Sequence, residues 1–517
     1  MSVKRVEVVK NSYYDSVTLM LVSREISEMK GIKEVVVAMA TDHNKESLSV
    51  VGLYDSKLDG ATANDLVIAM EAEDDSILQE AYQKVDELLK KKKETGGDEE
   101  YSPVSLEGAF EYMPDANLVM ISVAGEYAAY EARKALMAGK HVFMFSDNVP
   151  IEDEIELKTL ANEKGLLMMG PDCGTAIING APLAFANEVP RGDIGIVAAS
   201  GTGLQEVSTI IAKNGKGISQ AIGTGGRDLK KEVGGKMVIA GIKALQEDPA
   251  TKVIVVISKP PAPEVAKKVL DVLKEGSKPV VVDFINGDPE MVKEYGFYAP
   301  TTLEETALVA VALSDGREPD IKIPGEEQIK RVAVKERERL ADGQKYIRGL
   351  YTGGTLCDEA MYLIEKELGE PTYSNAPLHK GYELKDIYKS EKHTVIDLGE
   401  DEFTQGQPHP MIDPRTRQKR ILEEAKDPEV AVILLDIVIG YGSNEDMAGA
   451  LAPYIKEAKE LAEKDGRYLS VVASICGTKD DPQNLDEQQK KLEEVGVVVM
   501  PSNVQAVRTA IEIVKGK

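Results

Sequence analysis

The chain has 517 residues, 43% of them hydrophobic, and a formal net charge of −26. This length exceeds what one hydrophobic core supports, so the sequence predicts three or four domains. A surface this acidic argues against nucleic acid or an anionic membrane as the main partner. No stretch approaches the roughly 20 apolar residues that a membrane span needs, and the first residues lack the apolar core of a signal peptide.

Cysteine and histidine usage points to a reducing compartment. The three cysteines form no disulfide framework, and the five histidines show no metal-ligand spacing. We therefore expect a cytoplasmic protein without a bound metal. We expect the cysteines to fill space rather than to act as nucleophiles, because no histidine is predicted beside them. They are Cys173, Cys357 and Cys476.

The first predicted domain, residues 1–96, is a small α+β unit of the ferredoxin-like kind. Its predicted strands and helices alternate, at 3–9, 15–29, 32–39, 44–51, 65–72 and 76–93. Residues 97–190 then alternate strands and helices like a doubly wound α/β domain and end in a turn at 170–175. The first strand-to-helix turn of this second domain lacks G-x-G-x-x-G, so a conventional NAD site is not expected.

Residues 191–315 and 346–517 are predicted to be two further α/β domains, joined at 316–345 by a polar, charge-rich segment that is either a linker or an exposed helix. The predicted helix at 228–246 contains two adjacent glycines, Gly234 and Gly235, at which it can break. The other predicted elements of the first of these domains are strands at 194–198, 217–222, 253–257 and 280–284, and helices at 204–213 and 263–273.

A strand-to-helix turn at residues 200–203 is a candidate anion site. Ile194, Ile196 and Val197 form a buried strand, and the small residues after it expose backbone N–H groups at a helix N-terminus. Such an end carries about half a positive charge and unpaired donors, and therefore suits a phosphate or a carboxylate. Taken alone, a turn of this kind more often only reverses the chain.

A second copy of this turn follows later in the chain. Residues 353–355 (Gly-Gly-Thr) resemble residues 200–202 (Ser-Gly-Thr), at an offset of 153, and an Asp-Pro turn with its strand at 247–256 matches 426–435 at an offset of 179. Two such domains can pack so that both helix N-termini point at one anion; the alternative is two independent turns left by a duplication. The longer second copy has an insertion that contains His379, His393, Asp401, Glu402, His409, Asp413, Arg415 and Arg417.

Two motifs resemble the succinyl-CoA synthetase superfamily: Gly170-Pro171-Asp172-Cys173, and the strand and helix from Gly195 to Thr202. Residues 101–315 resemble the α subunit and residues 346–517 the carboxy-terminal domain of the β subunit. Over essentially the whole chain the sequence is similar to FdrA proteins, through residues 10–17, 349–361 and 403–414. The resemblance implies a Rossmann-like CoA-binding-type domain at 97–190 and two flavodoxin-like domains, an α-type ligase domain at 191–315 and a β-type domain at 346–517.

The chain departs from the synthetases where they carry phosphate on a histidine. Their Gly-His-Ala-Gly loop corresponds to residues 285–290, and residues 191–346 contain no histidine. The glutamate that orients their histidine corresponds to the segment 258–261 (Ser-Lys-Pro-Pro), and their ATP-grasp part has no counterpart. Because a covalent phosphoryl relay needs both a nucleophile and its orienting group, we infer that the chain keeps the anion site and lacks the relay.

The resemblance to FdrA proteins implies a subunit of an oxamate carbamoyltransferase of anaerobic allantoin breakdown, which converts oxalurate and phosphate to oxamate and carbamoyl phosphate. It implies small anionic substrates, two further protein subunits or a homo-oligomer, and no required cofactor, with CoA or nucleotide binding as a vestige. Two alternatives stay open: an acyl-CoA synthetase, and a non-catalytic subunit that binds metabolites or supports assembly.

Within this hypothesis the phosphate is held by Ser200, Gly201, Thr202, Gly203, Gly353, Gly354 and Thr355. The ligand pocket is expected to include Asp172, Cys173, Gly174 and Arg227. His409, in a proline-flanked loop, is the expected group for carbonyl polarisation or proton transfer. Asp413 is expected to orient His409 or an arginine, and Arg415 or Arg417 to hold the oxamate carboxylate. The alternatives are a structural loop histidine, surface arginines and simple chain turns.

Overall fold

The computed structural model describes residues 2–14, 16–27, 29–94, 103–320, 325–404 and 407–516. The chain forms two compact units, Met1–Asp115 with Thr404–Pro408, and Ala116–Phe403 with His409–Lys517. Their sheets and helices confirm the predicted multidomain α/β fold class. Across these described ranges, every helix is too short or too polar to cross a membrane.

The first unit contains a three-stranded antiparallel sheet of β1 (Val3–Val9), β2 (Ile32–Met39) and β3 (Leu66–Ala72), with β3 in the centre. Its helices are α1 (Ser16–Ser27), α2 (Asp42–Val50), α3 (Asp75–Glu94) and α4 (Leu106–Tyr112). Helices α1 and α3 pack on one face of the sheet through residues such as Leu19 and Leu78, and Leu48 of α2 packs on the other. The predicted domain boundary at residues 96–97 lies outside the described residues.

The second unit begins with a three-stranded parallel sheet. Its strands, in spatial order, are β4 (Leu118–Ile121), β5 (His141–Met144) and β6 (Met168–Met169). The connecting helices are α5 (Gly125–Met137) and α6 (Ile151–Glu163). This alternation of strand and helix gives the parallel sheet that the sequence predicts for this region.

A six-stranded sheet follows, in the order β12-β11-β9-β10-β7-β8, built from β7 (Thr175–Ile178), β8 (Ala181–Ala184), β9 (Arg191–Ala199), β10 (Ile218–Gly223), β11 (Val253–Ser258) and β12 (Val280–Phe284). Its helices are α7 (Gly201–Lys213), α8 (Lys236–Glu247), α9 (Pro263–Lys274), α10 (Pro289–Glu294) and α11 (Leu303–Ser314). Strands β7 and β8 precede residue 190, where the sequence predicts a boundary, and join this sheet through β10. Helix α8 starts at Lys236 rather than at residue 228, because Gly234 and Gly235 take positive φ angles of 79° and 74°.

The last sheet has five parallel strands in the order β14-β13-β15-β16-β17, namely β13 (Tyr346–Tyr351), β14 (Thr394–Asp397), β15 (Val430–Val438), β16 (Ser470–Cys476) and β17 (Val498–Met500). Its helices are α12 (Glu326–Arg337), which lies in the predicted linker, α13 (Gly354–Leu368), α14 (Asp401–Thr404), α15 (Arg415–Ala425), α16 (Met447–Lys464), α17 (Leu485–Glu494) and α18 (Asn503–Val514). The order β14-β13-β15-β16 repeats the order β10-β9-β11-β12 of the preceding sheet. Each sheet therefore reverses its winding beside its first parallel strand, where open α/β sheets bind ligands.

The two repeated domains, residues 191–315 (the first) and residues 346–517 (the second), make equivalent contacts with each other. Glu206 of α7 accepts a hydrogen bond from the backbone N–H of Asn503 at the start of α18 (3.0 Å). Glu359 of α13, which is 153 positions later, accepts one from the N–H of Leu303 at the start of α11 (2.8 Å). Each domain thus satisfies an orphan donor at a helix start of the other, and one hydrophobic core runs through both.

Candidate functional site

The two predicted turns meet directly in the structure. Ser200 Oγ lies 2.6 Å from Thr355 Oγ1, and a Cβ atom added to Gly353 would lie 2.9 Å from Thr202 Cγ2. The repeat relates these two contacts, since Ser200 corresponds to Gly353 and Thr202 to Thr355. The starts of α7 and α13 therefore lie side by side at the carboxyl edges of their sheets.

The two helix starts are held in different ways. Ser200 is the N-cap of α7, and its Oγ accepts a hydrogen bond from the Gly203 N–H (3.1 Å). Gly353 has no side chain with which to cap α13. Instead, the carboxylate of Asp436 in β15 accepts hydrogen bonds from the N–H groups of Thr352 (2.9 Å) and Gly353 (2.8 Å). A hydroxyl group thus fixes the first start, and a carboxylate from a neighbouring strand fixes the second.

Backbone donors remain available at both helix starts. Within the described part of the chain, the N–H groups of Gly201, Thr202, Gly354 and Thr355 have no hydrogen-bond partner. Gly201 and Gly354 are also partly accessible to solvent, whereas the two threonines are buried. A small anion beside the two glycines would meet the N-termini of two helices, each of which favours negative charge.

A buried carboxyl group lies against the start of α13. Asp397, the last residue of β14, is 5% exposed, and a Cβ atom at Gly354 would lie 2.6 Å from its Oδ2. Its Oδ1 accepts a hydrogen bond from the Gly399 N–H (2.8 Å). Burial and the neighbouring Glu400 carboxylate raise the pKa of Asp397 to about 7. This helix start therefore has beside it a group that gains or loses a proton near neutral pH.

A lysine crosses from the first repeat to the second. Lys259, which follows β11, pairs with Asp358 of α13 (Nζ–Oδ2 2.7 Å), while 49% of its side chain stays exposed. Burial opposes the charge on Lys259, but the Asp358 carboxylate outweighs burial and raises the pKa of the ammonium group. Lys259 also borders an open crevice of about 280 Å³ beside Ala199 and Leu229. This crevice lies at the carboxyl ends of β9 and β11, where the winding of the sheet reverses.

His409 lies beside Asp397 as a neutral imidazole. Its Nε2 would be 2.7 Å from a Cβ atom at Gly399, the residue that donates to Asp397. Its Nδ1 accepts a hydrogen bond from the Met411 N–H (3.2 Å), which assigns the proton to Nε2. Burial and the nearby charge of Arg417 lower the pKa of His409 to about 4. His409 is therefore suited to donate a hydrogen bond through Nε2, and it does not take up a proton near neutral pH.

The predicted arginines and Asp413 have partners of their own. Asp413 contacts Arg415, whose Nε lies 2.8 Å from Asp413 Oδ2, so it orients an arginine, one of the two roles considered for it. Arg417 is fully buried and pairs with Asp436 (Nη1–Oδ1 2.9 Å). Among the described residues, Nε and Nη2 of Arg417 have no hydrogen-bond partner. Arg417 thus compensates the carboxylate that holds the start of α13.

The turn at 170–175 lies beside the start of α7 at Gly174 and contains an accessible carboxyl group at Asp172. The Cα atom of Gly174 would lie 3.9 Å from a Cβ atom at Gly201. Asp172 is accessible to solvent, yet the surrounding protein and the nearby Asp147 carboxylate raise its pKa to about 7. An accessible side chain with a strongly raised pKa is typical of the floor of a cleft.

The two other predicted pocket residues have structural contacts. Cys173 is buried, its Sγ would lie 2.6 Å from a Cβ atom at Gly223, and burial raises its pKa to about 12. It therefore stays a thiol and fills space. Arg227 Nε pairs with Glu154 of α6 (2.8 Å), and its Nη2 donates to the carbonyl of Val149 (2.8 Å). Arg227 thus ties the loop after β10 to the preceding domain.

Sequence reasoning missed three charged residues of this site. Asp397, Asp358 and Lys259 come from β14, α13 and the segment after β11, and they converge only because the two repeats pack together. One signal was available for Asp397, since it is an acidic residue at the carboxyl end of a predicted buried strand, where α/β proteins place ligand-binding groups.

Family models match three stretches of the chain. A CoA-ligase model matches residues 350–513, a CoA binding domain model matches residues 191–285, and a model of the AllF heavy metal-associated domain matches residues 1–103. The chain has no cysteine in the last of these stretches. Together with the paired helix starts, these domains define a succinyl-CoA-synthetase-like protein.

Relatives confirm this class and narrow it. The chain is 46% identical to the uncharacterized protein YahF of Escherichia coli (strain K12) over 515 residues, which are 99% of either chain. The chain belongs to the family of YahF, which is the FdrA family of succinyl-CoA-synthetase-like proteins. Subunit alpha 2 of an ADP-forming succinate–CoA ligase from Archaeoglobus fulgidus is 28% identical over 171 residues, which are 32% of this chain and 58% of that subunit.

Solved structures that match this chain include the apo form of the dinucleotide forming acetyl-coenzyme A synthetase 1 of Ca. Korarchaeum cryptofilum. It is 16% identical to this chain, with 77% of this chain and 82% of that chain covered and a TM-score of 0.32. ATP citrate lyase from Methanothrix soehngenii, in complex with citrate and coenzyme A, is 14% identical, with 80% and 83% covered and a TM-score of 0.36.

Proposed function

We propose that the chain is a subunit of a carbamoyltransferase that transfers the carbamoyl group of oxalurate to phosphate, giving oxamate and carbamoyl phosphate. The observation that carries this proposal is the contact between the two helix starts, where Ser200 and Thr355 lie 2.6 Å apart. It supports a site in which Gly201 and Gly354 present backbone N–H groups to one phosphate. The residues proposed to hold phosphate are Ser200, Gly201, Thr202, Gly203, Gly353, Gly354 and Thr355.

This reaction needs a positioned phosphate, a polarised carbonyl group and a stabilised oxyanion, and it needs no covalent enzyme intermediate. In the proposed site the helix starts hold the phosphate, and the Nε2–H group of neutral His409 stabilises the oxyanion. Lys259 holds the carboxylate of oxalurate, the role that the sequence suggested for Arg415 or Arg417, because Arg417 is fully buried against Asp436 whereas 49% of the Lys259 side chain is exposed. The open crevice of about 280 Å³ beside Lys259 has room for this substrate.

The second candidate function is an acid–thiol ligase. The matches to CoA-ligase and CoA binding domain models favour it. A synthetase-type relay, however, requires a histidine, and the loop after β12, residues 285–290, contains none. A partner chain would have to supply that histidine. The carbamoyltransferase requires no such addition to this chain.

The proposal includes an assembly in the cytoplasm. Two further subunits, or further copies of this chain, complete the enzyme, and its substrates are small anions that need no resident cofactor. Vestigial CoA or nucleotide binding is compatible with the same domains.

The test is an assay of the complete complex. The chain is mixed with its partner subunits, oxalurate and phosphate, and carbamoyl phosphate is measured. We expect product from the complete mixture and at least a tenfold loss with Gly354→Ala, because the added Cβ would lie 2.6 Å from Asp397 Oδ2.

Gly60→Ala is the matched control for this assay, since nothing lies within 4 Å of its Cβ position. A complete complex that forms no carbamoyl phosphate would overturn the proposal. Hydrolysis of ATP or GTP that depends on CoA would favour the ligase instead.

A further inference from the structure

Asp397 lies at the start of α13, where the proposed site requires an anion to bind. A Cβ atom at Gly354 would lie 2.6 Å from Asp397 Oδ2, and, its chain neighbours and the backbone of its own helix aside, Asp397 is the only described residue within 4 Å of that position. Its Oδ1 is held by the Gly399 N–H (2.8 Å), whereas Oδ2 has no hydrogen-bond partner in the described ranges. An anion bound to the Gly354 N–H would therefore lie near this oxygen.

The charges around Asp397 favour its acid form when an anion is bound. Burial and Glu400 raise its pKa to about 7, while Lys259 opposes this shift. An ionised Asp397 would repel a dianion, whereas the protonated group can donate a hydrogen bond to it. The titratable and charged groups around it on the packed elements are Glu400, His409, Lys259, Asp358, Arg417 and Asp436.

We propose that Asp397 is the catalytic residue that carries the proton of the transfer: it binds beside the phosphate in its acid form and protonates the nitrogen that leaves as oxamate. This inference rests on the proposed function and names the acid which that function requires. The sequence suggested only His409 for proton transfer and did not identify Asp397.

The step balances in atoms and electrons. An oxygen of HPO₄²⁻ attacks the carbamoyl carbon of oxalurate, and the oxyanion that forms accepts the Nε2–H of His409. The bond between this carbon and the oxamate nitrogen breaks, its electron pair goes to the nitrogen, and the nitrogen takes the proton of Asp397. The proton of HPO₄²⁻ passes to the Asp397 carboxylate, so the enzyme returns to its starting form.

The two other titratable candidates are less suited to this step. His409 has a pKa of about 4 and therefore holds no transferable second proton near pH 7. Asp172 has a pKa of about 7, but it belongs to the turn at 170–175 beside α7. Of the three, Asp397 is the one that combines a proton that moves near neutral pH with a free oxygen at the helix start.

The first experiment measures anion binding without turnover. Sulfate keeps two negative charges between pH 6 and pH 8.5, so any change of its affinity reports on the protein. We expect the affinity of the intact chain for sulfate to fall about tenfold over this range as Asp397 ionises, and Asp397→Asn to remove most of the fall. A wild-type affinity that does not change, or an equal fall in Asp397→Asn, would overturn the proposal.

Asp283→Asn is the matched control for sulfate binding. Asp283 is 1% exposed and burial raises its pKa to about 7, but it bonds to Thr306 (2.8 Å) on the edge strand β12, away from the helix starts. We expect this variant to keep the wild-type pH dependence. A flat profile for Asp283→Asn would show that the effect does not belong to Asp397.

The second experiment uses the complete complex at pH 7. We expect Asp397→Asn to lower kcat by about 100-fold or more while the dissociation constant for phosphate changes less than threefold, and Asp283→Asn to keep the wild-type kcat. A wild-type kcat in Asp397→Asn would overturn the proposal. If the wild-type complex does not turn over, the proposed function fails, and the sulfate profile still decides whether Asp397 takes up the proton that accompanies anion binding.

Discussion

The two repeated domains hold equivalent helix starts with different groups. In the first, the Ser200 hydroxyl caps α7 (3.1 Å to the Gly203 N–H), and an open crevice of about 280 Å³ lies beside it. In the second, the Asp436 carboxylate holds the start of α13 (2.8 Å to the Gly353 N–H). There, Asp397 at the end of β14 lies against the helix start, and His409 lies next to Gly399, which donates to Asp397.

Under the proposed function, this difference between the two helix starts means that both can bind the anion but only the second can exchange a proton with it. A helix start held by a hydroxyl group keeps its positive end for a ligand. A start surrounded by carboxyl groups and an imidazole can instead exchange protons with that ligand. Under the proposed function, the two repeated domains supply two helix starts for one anion, and Asp397 of the second domain supplies the proton.

The largest expected effect comes from the ion pair that exists only in the second domain. Arg417→Met leaves the buried Asp436 carboxylate without its partner (2.9 Å). Breaking a buried pair in this way costs about 3–5 kcal/mol. We expect native-state hydrogen exchange to show this loss in β13, while β9 of the first domain keeps its protection.

Arg415→Met is the control for that variant. Its pair with Asp413 (2.7 Å) is partly exposed, and pairs of this kind contribute less than about 1 kcal/mol. Equal losses in the two variants would show that Arg417 does not hold the start of α13.

Acid should weaken the second domain before the first. Burial lowers the pKa values of His409 and His393 to about 4 in the folded chain, below the ordinary value of about 6.5. Since the unfolded chain takes up these protons first, stability is complete above pH 6.5 and is lost as the pH falls toward 4. Residues 191–346 contain no histidine, so the first domain lacks this dependence.

Hydrogen exchange at pH 6.5 and pH 4.5 measures this difference. We expect the free energy of opening of β13 to fall relative to that of β9, and the double variant His393→Gln, His409→Gln to remove much of the fall. The exposed His379 provides the control variant His379→Gln. A fall that is the same in both domains would contradict the assignment of the histidines.

The caps give a smaller contrast. Ser200→Ala should destabilise the first domain by about 1 kcal/mol, the usual cost of losing an N-cap. Ser502→Ala is the matched control, because it removes the N-cap of α18 by the same substitution and should cost a similar free energy. Gly353→Ser should bring no gain, although serine is a better cap, because its Cβ would lie 2.9 Å from Thr202 Cγ2. Stabilisation by Gly353→Ser in thermal unfolding would mean that the two starts do not pack this closely.

The smallest effect on stability is expected at Lys259. The Lys259 side chain, which pairs with Asp358, is 49% exposed, so Lys259→Met should change the free energy of unfolding by less than about 1 kcal/mol. The affinity of the Lys259→Met variant for oxamate, measured by calorimetry, should nevertheless fall severalfold. Lys252→Met, which removes an exposed pair with Asp193 (2.9 Å), is the control. Unchanged oxamate binding in Lys259→Met would remove this lysine from the proposed site.

The sequence was informative where one local pattern determines structure. The small residues after β9 and β13 predicted two helix starts, and the constant offsets predicted the repeat that relates the two sheets. These signals are local because hydrophobic periodicity and turn residues act within a few positions. The helix predicted over 228–246 contains the break that Gly234-Gly235 indicated, because the structure places both glycines in the left-handed region and starts the helix at Lys236.

The burial and the partners of charged side chains could not be predicted in this way. Arg417 and Arg415 are two positions apart, yet one is fully buried against Asp436 and the other pairs with Asp413 near the surface. Lys259 and Asp358 are 99 positions apart and meet only because the repeats pack together. Such pairs depend on tertiary geometry, which spacing along the chain does not encode.

One measurement tests the shared anion site most directly. Crystals of the chain are soaked in selenate, a sulfate analogue, and the anomalous signal of selenium locates the anion. We expect one peak within hydrogen-bond distance of the backbone nitrogens of both Gly201 and Gly354. A peak bound to only one of the two helix starts, or none at either, would contradict a site shared by the two repeats.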